Sequence, residues 1–310
     1  MLDILGVGDA IVDKIIVFDE TDPVMQKILP VKGLFFIATP EEHSYLREKP
    51  SLADYAGGSA ANTIRNMALL GAKAGFIGKA GCDREGDFFE ASLTEYNVQS
   101  YLIQTSQDKT GCSVVMVHQD KDRTQCARPC AANLLETAEV TDELLKNTKS
   151  ILTEGYMINR RPDLVEEVIL RAKFFGAKVY LTLSDVHCVQ NKKELILKLL
   201  PKMDILFGNE YEFEALQVAP DMLKDVLCVK TCGAKGVEIF SKNENYFFQA
   251  PLLDTIQNTN GAGDGFAAGF LLGLHQNFDF ETCALKGHFV AQEVLKTNLS
   301  YLPKDFVKKA

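Results

Sequence analysis

The sequence predicts an α/β fold, a mostly parallel sheet sandwiched by helices, with a small β-rich lid inserted near the start of the chain. Three observations carry this. From residue 151 onward strand-like and helix-like stretches alternate, the pattern of a parallel sheet covered on both faces. Two earlier stretches, about 11–50 and 100–130, are strand-rich and irregular and would interrupt such a sheet if they joined it, so they are expected to pair with each other as the lid. No Pro/Gly/Ser linker, low-complexity tract or internal repeat divides residues 1–310, which read as one domain with the lid inserted and not appended.

Taken in order, residues 2–7 form an apolar run closed by Gly8 and predict a buried strand. Residues 11–18 and 33–37 read as further strands with no helix between them. The pattern then turns to a helix over 62–70 stopped by Gly71, a strand at 75–78 and a helix over 87–96 with Phe88, Leu93 and Tyr96 at helical intervals. Strand-like runs at 112–117 and 123–127 flank the polar turn 119–122 and predict a hairpin. Strands follow at 151–154, 179–183, 205–208 and 226–231, alternating with helices at 163–175, 193–200 and 211–216.

Composition excludes several functions. The 310 residues are 46% hydrophobic, enough for one large core, and carry a formal net charge of -9, which argues against a nucleic-acid surface. No apolar stretch reaches the roughly 20 residues of a membrane span. The start Met1-Leu2-Asp3 is neither basic nor apolar enough for a secretory leader, and a cytoplasmic protein with reduced thiols is expected. Of the eight cysteines, Cys126 with Cys130 and Cys228 with Cys232 stand four apart, but no histidine pair completes a zinc set, so core or loop thiols are the better reading.

The most informative stretch is Asn258-Thr259-Asn260-Gly261-Ala262-Gly263-Asp264-Gly265, followed by an apolar helical run. Gly261 and Gly263 allow a sharp turn, and a helix start beyond it leaves unpaired N–H groups that suit an anion and favour an ionised Asp264. A carboxylate beside such a turn is what phosphoryl transfer to an alcohol requires. The plain alternative is a capped helix start whose small residues Gly265, Ala268 and Gly269 let it sit close to the sheet. The phosphate loop of Walker type is absent, because Gly78-Lys79 is followed by Ala80, and a dinucleotide fingerprint fails because Ile11 stands where Gly6-x-Gly8 needs its third glycine.

These residues resemble the PfkB, or ribokinase-like, family of carbohydrate and nucleoside kinases over nearly the whole chain, with the Gly-Ala-Gly-Asp run as its late signature. The resemblance implies Asp264 as general base with Gly261, Ala262 and Gly263 as the anion hole. It implies Gly57, Gly58 and Asn62 as an early substrate signature, the diglycine also serving as a hinge, and Asp9 and Asp13 as acceptor-binding acids at the strand-to-lid junction. Asp13, with two acceptor oxygens, is the one suited to a vicinal diol. On the nucleotide side it implies Asn209 and Glu212, the latter ordering magnesium through water, and the turn of Thr231, Gly233 and Gly236 along the ATP phosphates.

Leu183-Ser184-Asp185, Glu154-Gly155-Tyr156 and Ser59 resemble the adenosine-kinase-like branch, which implies a sugar or nucleoside acceptor, ATP and magnesium, and a monomer or homodimer. Asn258 stands where the family has an acid associated with a monovalent cation, so potassium is not expected to matter. Asp9 stands where adenosine kinases often have Asn, and the loop 126–133 lacks the branch's usual run, which leaves the acceptor open. A non-catalytic ligand-binding or regulatory protein on the same fold is the alternative function, with a nicotinamide-dependent oxidoreductase behind it.

Overall fold

The computed structural model describes residues 1–27, 38–120, 123–219, 222–223 and 225–308. The strand expected at 33–37 and the turn residues Lys121 and Asp122 lie outside them. The chain opens with β1 (Ile4–Val7), four buried residues, and passes after a short link into β2 (Ile11–Val17). Two helices that the periodicity did not predict follow: α1 (Pro23–Gln26) and α2 (Pro40–Arg47). Each starts on a proline behind a capping side chain. Asp22 accepts from Val24 and Met25, and Thr39 and Glu42 form a reciprocal capping box. Then come β3 (Ala53–Ala56), α3 (Ser59–Leu69), β4 (Ala74–Ile77), β5 (Lys79–Gly81), α4 (Arg84–Glu95), β6 (Gln99–Ser100) and β7 (Ile103–Thr105). The hairpin is β8 (Gly111–Val117) with β9 (Arg123–Arg128).

The second half runs α5 (Asp142–Lys146), β10 (Ser150–Glu154), α6 (Gly155–Arg160), α7 (Pro162–Phe174), β11 (Lys178–Thr182), α8 (Val186–Leu199), β12 (Ile205–Asn209) and α9 (Glu210–Leu216). It continues with β13 (Leu227–Thr231), β14 (Gly236–Phe240), β15 (Asn245–Gln249), α10 (Ala262–His275) and α11 (Phe280–Leu295). Helix α8 begins at Val186, ahead of the expected 193, because Asp185 caps it through the His187 N–H at 2.7 Å; the irregular Lys192 (φ -126°) marks a kink where the expected start lay.

The main sheet has the order β15-β14-β13-β12-β11-β10-β1-β4-β6, parallel from β6 to β13 and antiparallel at β14 and β15. Residues alternate across it. Leu5, Ile151, Leu181 and Leu206 pack under α7 and α8, whereas Ile4, Leu152, Tyr180 and Ile205 pack with α3 and α10. Because β1 lies between β4 and β10, the crossovers leave it in opposite directions, and a crevice opens at its carboxyl end. Strands from the two irregular stretches form a separate sheet, β3-β2-β8-β9. It includes Ala53–Ala56, outside the expected 11–50, and excludes β6 and β7, which join the main sheet and β5 respectively. One face of it buries Ile16, Val114, Met116 and Cys126 with Leu46 of α2.

Helix α10 lies on α11 through glycines one turn apart, so Gly265 and Gly269 serve the helix pair and not a close approach to the sheet. A Cβ at Gly269 would stand 2.3 Å from the Lys286 carbonyl oxygen, and one at Gly273 would stand 2.8 Å from Cys283 Sγ. Among the described residues a Cβ at Gly263 would meet nothing within 4 Å. Gly269→Ala is therefore expected to lower unfolding stability by about 1–3 kcal/mol or more, while Gly263→Ala leaves it unchanged or raises it by up to about 1 kcal/mol. Equal urea midpoints for the two variants would contradict this packing.

Candidate active site

Asp264 is the third residue of α10, whose start is set by Gly261 in the left-handed region (φ 76°), where a Cβ would lie 2.0 Å from the Ser300 carbonyl oxygen. Among the described residues no side chain caps this helix. Its first-turn N–H groups and the open space over Gly263 form a cradle of the kind that holds phosphate. The half-buried Asp264 carboxylate leans onto α3: Ser59 Oγ donates to Oδ1 at 2.6 Å and Asn62 Nδ2 to Oδ2 at 3.0 Å, while Thr63 Oγ1 donates to the Asp264 carbonyl at 3.3 Å. Ser59 and Asn62 are three apart on one helix face, a spacing that places both toward one partner. Burial pushes the Asp264 carboxyl up to about 6 against the pull of those two hydrogen bonds. Desolvation thus outweighs the helix start, yet the group remains mostly ionised at neutral pH.

Asp13 projects from β2 onto the diglycine. A Cβ at Gly57 would lie 2.7 Å from Asp13 Oδ2, so only glycine leaves room for the carboxylate. Gly58 has φ 86°, and a Cβ there would stand 2.4 Å from the Asp9 carbonyl oxygen. Burial pushes Asp13 up to about 7, opposed by the Arg65 charge and a Ser113 hydrogen bond, with Asp264 adding to the rise.

Asp9 is placed differently from Asp13. It is 2% exposed, and Arg160 Nη2 donates to its Oδ2, so its carboxylate faces a guanidinium. Its N–H donates to Glu154 Oε1 at 3.1 Å, and the Ala60 N–H donates to Oε2 at 2.8 Å. Burial and the neighbouring Asp9 hold the Glu154 carboxyl well above the usual range. Arg160 Nη1 also donates to Asn133 Oδ1 at 2.6 Å, tying the loop before α5 to this wall.

Asn209 and Glu212 form a reciprocal capping box at the start of α9, with Glu212 Oε1 accepting from Asn209 Nδ2 at 2.7 Å. Burial pushes Glu212 up to about 7, opposed by the Asn209 backbone N–H and reinforced by the charges of Asp185 and Asp264. Thr231 Oγ1 donates to the Gly208 carbonyl at 3.3 Å, and Gly233 (φ 56°) and Gly236 (φ 135°) shape the turn between β13 and β14. Among the described residues no group of three or more His, Cys, Asp or Glu could hold a metal ion, and burial pushes Cys126 and Cys228 up to about 12.

Periodicity and motif reading missed Arg123 and Arg160, and gave Glu154 no part in the site beyond its place in the Glu154-Gly155-Tyr156 run. Arg123 Nη1, at the start of β9, donates to Asn258 Oδ1 at 2.9 Å, which brings a cation from the smaller sheet to the loop before α10. Asn258 also accepts from the Asn260 N–H and donates to the Asn298 carbonyl. No local pattern signals a contact between residues 135 positions apart.

The family model of the pfkB family carbohydrate kinases matches residues 14–305. A 5-dehydro-2-deoxygluconokinase of Bacillus subtilis is 27% identical over 286 residues, covering 82% of this chain and 85% of the relative. Among solved structures, an adenosine kinase from Sinorhizobium meliloti superposes with a TM-score of 0.84 at 28% identity, covering 97% of this chain and 95% of that one. A probable sugar kinase from Rhizobium etli superposes with a TM-score of 0.86 at 27% identity, over 99% and 98% of the two chains.

The Asp264 contacts set a testable sign. Ser59 donates to the ionised carboxylate and stabilises it, so Ser59→Ala should raise the Asp264 pKa, by about one unit for a hydrogen bond to a charged group. Carbon NMR titration of labelled aspartate would show the shift; an unmoved or lowered value would contradict the contact.

Proposed function

The chain belongs to the pfkB family of carbohydrate kinases and is an ATP-dependent sugar or nucleoside phosphotransferase; on that premise we propose that Asp264 is its general base and that the cleft between the two sheets binds the acceptor. The observation that carries the reading is the Asp264 carboxylate, oriented by Ser59 and Asn62 at the foot of an uncapped helix start. An acceptor hydroxyl seated there gives its proton to Asp264. The Gly261, Ala262 and Gly263 backbone steadies the charge on the transferring group.

Asp13 binds two hydroxyls of the acceptor, with Gly57 and Gly58 giving it room and Asn62 lining the same wall. Asp9 acts through Arg160, which forms the opposite wall with Asn133. Arg123 reaches the loop before α10 from the smaller sheet, which supports that sheet as a lid bringing a diol-binding acid and a cation over the crevice together. Glu212 and Asp185 suit a magnesium ion carried on phosphates through water, since no protein cage is present among the described residues. Magnesium supplies positive charge that this acidic surround lacks. The Asn258 amide is already spent on Arg123, Asn260 and Asn298, which supports the expectation that potassium matters little. Thr231, Gly233 and Gly236 lie along the nucleotide. A cytoplasmic monomer or homodimer completes the proposal.

The test is ATP turnover with adenosine, inosine, cytidine, ribose, fructose and 5-dehydro-2-deoxygluconate as acceptors, followed by Asp13→Ala with the best of them. Losing hydrogen bonds to a charged group, worth about 1.5–3 kcal/mol, predicts an acceptor KM raised about 10- to 100-fold with the ATP KM nearly unchanged. Equal damage to both constants would contradict the assignment of Asp13.

A further inference from the structure

Behind the acceptor wall sits a charge that the reaction as described does not use. Arg65, on α3, is 0% exposed. Its Nη1 donates to Asn62 Oδ1 and to the Gly57 carbonyl, both at 3.2 Å, and its Nη2 donates to Ser92 Oγ at 3.1 Å. The rings of Phe89 and Tyr301 each lie 4.9 Å from the guanidinium carbon, and among the described residues Nε has no partner. Among the described residues no carboxylate lies within ion-pair distance of it. Burying a guanidinium without a counter-ion in contact is costly, and an aliphatic side chain would fill the space between two rings more cheaply.

What the guanidinium does is fixed by its chemistry. It has donors and no acceptor, so the Asn62 amide must turn its oxygen to Arg65 and therefore its N–H to Asp264. Through the Gly57 carbonyl it also backs the backbone on which the Asp13 carboxylate rests. The charged and titratable groups around Asp13 are Arg65 on α3, Asp264 on α10, Tyr55, its cross-strand partner on β3, Tyr301 beyond α11 and, from the other face of the strand, Cys112 on β8, and Arg65 is the cation in that set. We propose that Arg65 is a positioning residue of the transfer site, orienting Asn62 toward the base and supplying the positive charge behind the acceptor-binding Asp13. The proposal rests on the assignment of Asp264 and Asp13 made above.

The experiment compares Arg65→Met and Arg65→Lys, each checked for folding by circular dichroism, alone and in an Asn62→Ala background. Arg65→Met should lower kcat about tenfold or more. It should also move the acid limb of kcat/KM for the acceptor to higher pH by about one unit, because removing a cation raises the pKa of a nearby carboxyl. Arg65→Lys, which keeps the charge, should return the limb to its wild-type position without restoring full kcat. In the Asn62→Ala background either change should cost little further kcat. A wild-type limb and kcat in Arg65→Met, or in Arg65→Lys a limb displaced as far as in any charge-free variant, would overturn the proposal. So would kcat losses that simply multiply with that of Asn62→Ala. Should Arg65→Met not fold, Arg65→Gln takes its place with the same expected outcomes. If Asp13→Ala raises the acceptor KM as expected while Arg65→Met changes nothing, this inference alone falls.

Discussion

The junction of α3 with α10 is the constraint on which the rest of the site depends. Two donors one helical turn apart, Ser59 and Asn62, reach the carboxylate of a residue some 200 positions later, and the Thr63 hydroxyl reaches its backbone. That contact holds because α3 packs on one face of the main sheet beside α10, and α10 in turn is pressed against α11 by glycines that leave no Cβ between them. Asp264, the proposed base, is therefore held by rigid elements while the helix start beside it stays open over Gly263. The division suits a reaction in which positioning and charge do most of the work.

Burial and charge are balanced against each other throughout the crevice. Asp13, Asp264 and Glu212 are each raised by desolvation to about 6 or 7, so they can change protonation near neutral pH with little driving force in either direction. Asp9 and Glu154 form a deeper pair whose charge is met by Arg160. The acids near the cradle leave a deficit of positive charge that Arg123 from the small sheet, together with a metal carried on the nucleotide, would offset.

Much of the fold was legible in the sequence because buried parallel strands and amphipathic helices leave separate periods, and the main alternation from residue 151 onward follows directly from them. The helices α1 and α2 were missed although Asp22-Pro23 and Thr39-Pro40-Glu41-Glu42 carry start signals, because both are too short for an apolar stripe to emerge. The glycine-rich helix start with Asp264 was visible because local backbone chemistry demands it. Arg123 with Asn258 and Arg160 with Asp9 were not, since each pair spans more than a hundred residues, the first depending on how the smaller sheet meets the main body and the second on β1 lying beside β10. Asn209 with Glu212 shows the converse: the motif stands out in the sequence, and its side chains are spent largely on capping α9.

The central claim is that Asp264 accepts the acceptor's proton, and Asp264→Asn tests it most directly, since the variant keeps size and hydrogen bonding but cannot take the proton. Measured as turnover beside nucleotide affinity, the account predicts a kcat lower by at least about a hundredfold, within the span general-base catalysis supplies, with ATP binding largely retained. A folded Asp264→Asn protein that transfers phosphate at near wild-type rate would contradict it.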